Sequence, residues 1–527
     1  MTGPEAPDAA SLAALAAPEV AHGRRVFRNT LITGVVGVLT LLLNFFVVGF
    51  AIRRLGTNAY GIWVLALSFS VSAGYLSISD LGLQSGVVRF VADADGRGQR
   101  ERIGEVVSSA LAVLAGTAVV AVAVLLALSI GAEHLFHVPQ YLHTPLRLLF
   151  VLLAGEALFG LPGLAFVGLL EGLQRYGWIK AVDLARQVLY TVMAVVVLAT
   201  GHGVVAFGAT MIASSIFAAA GYAVAGRLVC PELHISPRLV HRAALHPLAR
   251  FSAWVFVQRI NSVIWSQMDK VILAAVVGTS LLTGYDIAVR IQSAASYPLS
   301  LTTKAVVPAA ANLSAMESTV RLQALLVRGT RYTLALSLPV TIAAMILARP
   351  LIVGWVGEGY AGFAGAAQLF LTYQLVVCTA TIAGTMLVGM GRVREIAGYV
   401  TGAVLINLVI SVALAPRLGI YGVITGTLVG FGITAPLYIR LVLRELSMQL
   451  RVFARHAIAP IVPWAAIFTG VLALTAYLVQ PANLLAVAAC CLPAALIYVA
   501  GVVRFAMAAD ERRALLGFLM PVTPKVG

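Results

Sequence analysis

Long apolar runs separated by short polar stretches recur along almost the whole chain. They fall at 29–51, 58–79, 103–131, 145–170, 178–200 and 203–229, and again at 251–278, 281–306, 329–349, 362–390, 395–415 and 419–443. A last pair lies at 456–479 and 482–506. Many approach the ~20 residues that a helix needs to cross a bilayer. None alternates strictly between apolar and polar positions, which weighs against a membrane β-barrel. The pattern predicts an all-α polytopic membrane protein with about 14 transmembrane helices.

Composition agrees with this reading, since 60% of the 527 residues are hydrophobic and 11% are charged. Soluble domains carry about 25% charged residues. The formal charge of +15 is scattered among the connections and forms no single patch, so nucleic acid is not an expected partner. With a cytoplasmic N-terminus, about 26 Lys and Arg fall inside, about 5 outside and about 5 within spans. This segregation predicts a cell inner-membrane protein with both termini in the cytoplasm. Arg24, Arg25 and Arg28 read as the cytoplasmic flank of the first helix. A twin-arginine signal would be followed by a shorter apolar run and a small-residue exit.

Several chemistries are excluded by what is missing. The longest connections, 80–102, 230–250, 307–328 and 444–455, all fall on the expected cytoplasmic side, and no external stretch is long enough for a catalytic domain. Lys180, Lys270, Lys304 and Lys525 are the only lysines and none precedes Ser or Thr, so there is no Walker A loop. The four cysteines have no CxxC or zinc spacing. His134, His137 and His143 share an expected external loop and read as solvated. No metal, no cofactor and no enzymatic activity are expected.

An internal duplication runs through the first twelve spans. Leu55-Gly56-Thr57 with Tyr60-Gly61 recurs as Val277-Gly278-Thr279 with Gly284-Tyr285. Glu171-Gly172 returns as Val388-Gly389, and Gly203-Val204-Val205-Ala206 as Gly419-Ile420-Tyr421-Gly422. The offset is roughly 220 residues each time, the mark of two halves in parallel orientation. The expected organisation is a cytoplasmic segment 1–28, an N-lobe 29–229, a linker 230–250 and a C-lobe 251–443. A second linker 444–455, an added helix pair 456–506 and a cytoplasmic tail 507–527 complete it.

Polar residues inside spans mark candidate function, because ionisable groups are costly in the bilayer. Asp286, Arg290, Ser293, Tyr297, Ser300 and Lys304 repeat at helical spacing on one face of the eighth span. Arg259, Ser262, Ser266 and Asp269, with Lys270 beside it, make a second stripe on the seventh. Together they predict a hydrated cationic cavity holding Arg259, Arg290, Lys304, Asp269, Lys270, Asp286 and Tyr297. The bland alternative is that Asp286 and Arg290 merely pair along one helix. Asp80, Glu156, Asp183, Arg186 and Asn44 are further candidates for coupling or for the cavity wall. Arginine forks suit phosphate oxygens, so the cavity is expected to take an anion.

Tyr60-Gly61-Ile62-Trp63, Asp80-Leu81-Gly82-Leu83 with Arg89, and Asp269-Lys270 followed by Gly278 and Tyr285 resemble the oligosaccharide and O-antigen flippases. These belong to the multidrug/oligosaccharidyl-lipid/polysaccharide exporter superfamily. Lys270 stands where that family usually has Arg. The resemblance implies two six-helix lobes that alternate around a cationic cavity, with the final pair bordering a groove for a polyprenyl tail. It implies a flippase moving a polyprenyl-diphosphate-linked oligosaccharide from the inner to the outer leaflet. Expected partners are that lipid, the membrane lipids, and a polysaccharide polymerase or glycosyltransferases. The alternatives left open are a cation-coupled multidrug or metabolite exporter and a non-transporting scaffold of a polysaccharide synthesis complex.

Overall fold

The computed structural model describes residues 9–512 apart from positions 73, 241, 304–305 and 508–510. In the first half, α1 runs over Ala9–Leu67, α2 over Leu83–Gly96, α3 over Arg100–Leu135, α4 over His143–Gly172, α5 over Tyr176–Ala199 and α6 over Val204–Val229. The second half opens with α7 (Arg242–Val276), α8 (Ser280–Ala295), α9 (Tyr297–Thr303) and α10 (Val306–Ala315). It continues with α11 (Thr319–Ile346), α12 (Ala348–Val356), α13 (Ala364–Gly389), α14 (Val393–Leu418) and α15 (Ile420–Glu445). After the short α16 (Leu450–Phe453) come α17 (Val462–Val479) and α18 (Leu484–Gly501).

Among the described residues, 10 helices are long and apolar enough to cross a membrane, or 11 if α11 and α12, bent by 73°, form one span. Large apolar side chains such as Val120, Val409 and Leu485 stand 64%, 67% and 84% exposed on their outer faces. Such surface needs lipid around it. The protein is a multi-pass α-helical membrane protein.

The difference from the expected span count has local causes. Run 29–51 and the start of run 58–79 share one helix, α1, kinked at Gly56, whose φ of 75° and ψ of 175° are non-helical. The positive φ favours glycine, which has no Cβ to clash. α7 carries Arg259, Asp269 and Lys270 together with several Gln, Asn and Ser residues, which lower its hydropathy, while run 281–306 is divided among α8, α9 and α10.

Two expected loops are helices. Stretch 80–102 contains α2, whose Val87, Val91 and Ala94 are buried. Stretch 307–328 contains most of α10 and the start of α11. Charges at Arg89, Asp93 and Asp95 hid the apolar face of α2 from a hydropathy reading. What holds α2 is glycine on α4. A methyl group at Gly172 would lie 2.8 Å from Val91 Cβ, and one at Gly168 would lie 2.9 Å from Val87 Cβ. α10 sits on α13 in the same way, since a methyl at Gly389 would lie 2.6 Å from the Val307 carbonyl. The backbone repeats as well: positive φ occurs at Gly56 and Gly278, at Gln174 and Gly391, and at Gly201 and Gly419.

Candidate functional site

The halves meet through α1 and α8. Tyr60 is fully buried on α1, and its hydroxyl donates to Asp286 Oδ2 at 2.8 Å. Arg290, one turn along α8, donates from Nε to the same oxygen at 2.6 Å. The Asp286 side chain is 7% exposed and that of Arg290 27%. One carboxylate thus closes the seam between the halves and holds the arginine by its Nε edge. Gly61 brings the backbones together, because a methyl there would collide with the Thr279 carbonyl.

Other charges gather around this pair. Lys270 donates to Gln267 Oε1 at 3.1 Å and lies in the fields of Asp286 and Arg290. Across the seam, Arg186 on α5 and Arg290 on α8 both act on the Tyr190 hydroxyl. Arg259 on α7 is half-buried and acts on Asp80. Asp80 is buried at the end of a short 3-10 turn, Tyr75–Asp80, and accepts the Gln84 amide at 3.0 Å. Arg186, Arg259, Lys270 and Arg290 therefore lie along the seam, each set against a buried acid: Arg186 against Glu156, Arg259 against Asp80, and Lys270 and Arg290 against Asp286.

The remaining expected site residues lie elsewhere. Asp269 is buried inside the second half, accepting from Tyr285 at 2.9 Å, Thr427 at 3.0 Å and Asn407 at 3.3 Å. Ser411 donates to Asn407 Oδ1 at 2.8 Å and contacts the Val423 carbonyl at 3.3 Å. Among the described residues, no three His, Cys, Asp or Glu side chains converge on a metal position. On the second polar stripe, Ser262 and Ser266 are exposed while Asp269 is buried, so its members sit at different depths.

Asp183 pairs locally with Lys180 at 3.0 Å and accepts the Tyr222 hydroxyl at 2.5 Å. Asn44 bonds within its own helix to the Thr40 carbonyl at 2.9 Å. Tyr297 packs its hydroxyl on α1, where a methyl at Gly37 would lie 2.5 Å away. Lys304 lies outside the described residues. Glu156 is buried on α4 and accepts a hydrogen bond from Ser72.

Sequence reasoning missed Tyr60 as a ligand of Asp286, and missed Tyr285, Asn407 and Thr427 as ligands of Asp269. Hydroxyls and amides carry no charge signal, and only tertiary packing says which carboxylate they reach. It also missed a cavity of about 400 Å³ between α7, α13, α14 and α15, walled by Trp265, Tyr373, Phe431 and Tyr438.

One end of the bundle is closed by further bonds between the halves. Arg53 donates to the Gly354 carbonyl at 2.8 Å and Thr283 to the Thr57 carbonyl at 2.6 Å. Trp355 stacks on Phe45 with ring centroids 3.8 Å apart and donates to the Phe45 carbonyl at 2.7 Å. The His137 amide reaches the Ala274 carbonyl at 3.2 Å.

Two helical halves closing on a charged seam have the fold of a MOP-superfamily transporter. The chain superposes on the lipid II flippase MurJ in an inward closed conformation with a TM-score of 0.69 and 12% identity, covering 92% of this chain and 99% of that one. It superposes on an inward-facing multidrug resistance MATE family transporter with a TM-score of 0.66 and 14% identity, covering 77% and 94%. For a MOP superfamily transporter from Pyrococcus furiosus the TM-score is 0.58 at 13% identity, covering 80% and 95%. No curated protein matches the chain by sequence. The family model described as polysaccharide biosynthesis protein matches residues 26–314, more than half of the chain, and the protein belongs to that family. It is a multi-pass membrane protein of that polysaccharide biosynthesis family, with the fold that MurJ and the MATE transporters share.

Proposed function

We propose that this protein flips a polyprenyl-diphosphate-linked oligosaccharide from the inner to the outer leaflet of the cell inner membrane by alternating access. The observation that carries the reading is the largely buried charged cluster at the seam: Arg290 is tethered by Asp286 through Nε alone among the described residues, with Lys270 and Arg186 near it. A guanidinium held on one edge presents its other nitrogens as a fork for diphosphate oxygens. The sugars would occupy the space between the lobes and the polyprenyl tail would stay in lipid.

In this reading the lobes are 29–229 and 251–443, joined by 230–250. Fourteen spans result when the two arms of α1, the charged α7, and α8–α10 each count as one crossing, with 456–506 as an added pair. Both termini are then cytoplasmic, and the closed end, at Arg53, Thr57 and Gly354, faces outward. A polysaccharide polymerase or glycosyltransferases would be its neighbours.

The test is transbilayer movement of a labelled lipid-diphosphate oligosaccharide in liposomes containing the purified protein. Movement in wild type that drops at least tenfold in Arg290→Lys, at equal reconstituted protein, supports the site. Lysine keeps the charge toward Asp286 and loses the fork. Undiminished movement in that variant sinks the diphosphate assignment. Gradient-driven export of a soluble organic cation, with no movement of any lipid-linked glycan, would favour the exporter reading.

A further inference from the structure

Each half interrupts one of its membrane helices, and the side chain that holds the interruption differs in a single chemical respect. In the first half, α1 ends at Leu67, and a turn at 68–72 comes before the 3-10 turn Tyr75–Asp80. The turn is closed by Ser70 N–H to Leu67 O at 3.0 Å and Tyr75 N–H to Ser68 O at 2.7 Å. A methyl at Gly74 would collide with Ser68 O and Ser70 N, so glycine is required there. The amides of Val71 and Ser72, and the Ser72 hydroxyl, are directed to the carboxyl of Glu156 on α4. Glu156 is 1% exposed, and its Oε2 has no hydrogen-bond partner among the described residues.

In the second half, the break between α8 and α9 lies at Ser296. Its holder is Gln374 on α13, also 1% exposed, whose Oε1 accepts from Ser296 at 2.8 Å and from Gln292 at 2.7 Å. Gln374 follows Glu156 by roughly 220 residues, the offset of the internal duplication. One position in the repeat is thus an amide that cannot titrate and the other a carboxyl of the same shape with one oxygen vacant. A buried polar atom left without a partner needs an explanation. A proton on Oε2 would make the carboxyl the near-isostere of its counterpart and would remove the charge that binds the turn's donors tightly.

We propose that Glu156 is a proton-binding site whose occupancy sets the joint at 68–72, while Gln374 holds the matching joint of the other half constant. Arg186 on α5 is the charged side chain whose field acts on Glu156 most directly. Asp183, on the same helix, is already engaged by Lys180 and by Tyr222 of α6. Tyr60 on α1, Tyr75 in the 3-10 turn and Tyr190 on α5 stay neutral over the physiological range. α2 carries Arg89, Asp93 and Asp95, and α3 carries its acidic groups near its ends at Glu101, Glu105 and Glu133. Binding balances simply: one proton adds to Oε2 from one side of the membrane and leaves to the other after the joint has moved. This rests on the transport reading for its consequence, though not for proton binding itself.

The test uses the full purified chain. Infrared difference spectra between neutral and acidic pH should contain the carbonyl stretch of a newly protonated buried carboxyl. That band should vanish in Glu156→Gln and shift but persist in Glu156→Asp, which serves if the glutamine variant does not fold. In liposomes, an imposed proton gradient should raise glycolipid movement several-fold in wild type and not at all in Glu156→Gln. A band unchanged in Glu156→Gln, or equal stimulation in both proteins, overturns the proposal. A band lost in Glu156→Gln with no glycolipid movement by wild type would uphold the proton site and reject the cargo.

Discussion

Tyr60, Asp286 and Arg290 concentrate in three side chains the cost and the purpose of placing charge between two apolar halves. Asp286 accepts from both neighbours within 2.8 Å, so neither charge is bare. Removing one member of such a pair leaves an uncompensated buried charge, which costs about 3–5 kcal/mol, whereas removing both is far milder. Asp286→Ala should therefore lower the thermal midpoint of the detergent-purified protein sharply, and Asp286→Ala with Arg290→Ala should recover most of the loss. Equal midpoints for the single variant and wild type would mean that the pair is solvated. The cysteines illustrate the opposite case. All four are free, Cys230, Cys378 and Cys490 are buried, and burial pushes the Cys230 thiol up from its usual range, so they are packing residues.

At the level of elements, the recurring device is a glycine that lets a short helix lie on a long one. Gly168 and Gly172 do this for α2 on α4, and Gly389 for α10 on α13. An added methyl at these crossings forces the helices apart, and overpacking of this kind costs roughly 1–3 kcal/mol. Gly172→Ala and Gly389→Ala should each destabilise the purified protein. Gly160→Ala, in the same α4 with nothing within 4 Å of the new methyl, should be neutral or stabilising by up to about 1 kcal/mol. A thermal melt of the three variants side by side separates the crossing effect from helix propensity. If Gly160→Ala were as damaging as Gly172→Ala, the close approach would not be the cause. The repeat of Gly172 at Gly389 was legible in the sequence, but α2 and α10 themselves were not. Their apolar faces are short and flanked by charge, and a hydropathy window averages them into polar connections.

For the whole molecule, the bonds at Arg53, Thr57, Trp355 and His137 tie the halves together at one end. Transport by alternation requires that these contacts break in every cycle. Joining Thr57→Cys to Thr283→Cys with a short cleavable reagent, in a background without the native cysteines, should abolish glycolipid movement. Cleaving the reagent should restore it. Movement that persists in fully crosslinked protein would mean that this end stays shut during transport. Trp355→Ala removes both the stack on Phe45 and a hydrogen bond, and should raise the reactivity of a probe cysteine at Thr57 by severalfold.

Membrane residence and the helical class were decided by the sequence alone, because bilayer crossing depends on run length and apolarity, which need no tertiary partner. Arg290 and Asp286 were legible as candidates for the same reason: a charge inside an apolar run is conspicuous wherever the helix packs. What only the tertiary structure decided was allegiance. Asp269 looked like a cavity residue on its stripe, yet the hydroxyls of Tyr285 and Thr427 and the amide of Asn407 enclose it inside one half. Tyr60 looked like part of a short motif, yet its hydroxyl reaches a carboxylate on α8 in the other half. Hydrogen bonds act over about 3 Å, and residues that meet at that distance can be hundreds of positions apart. The pattern along a chain reports which groups are costly to bury, and the fold alone determines which neighbours offset that cost.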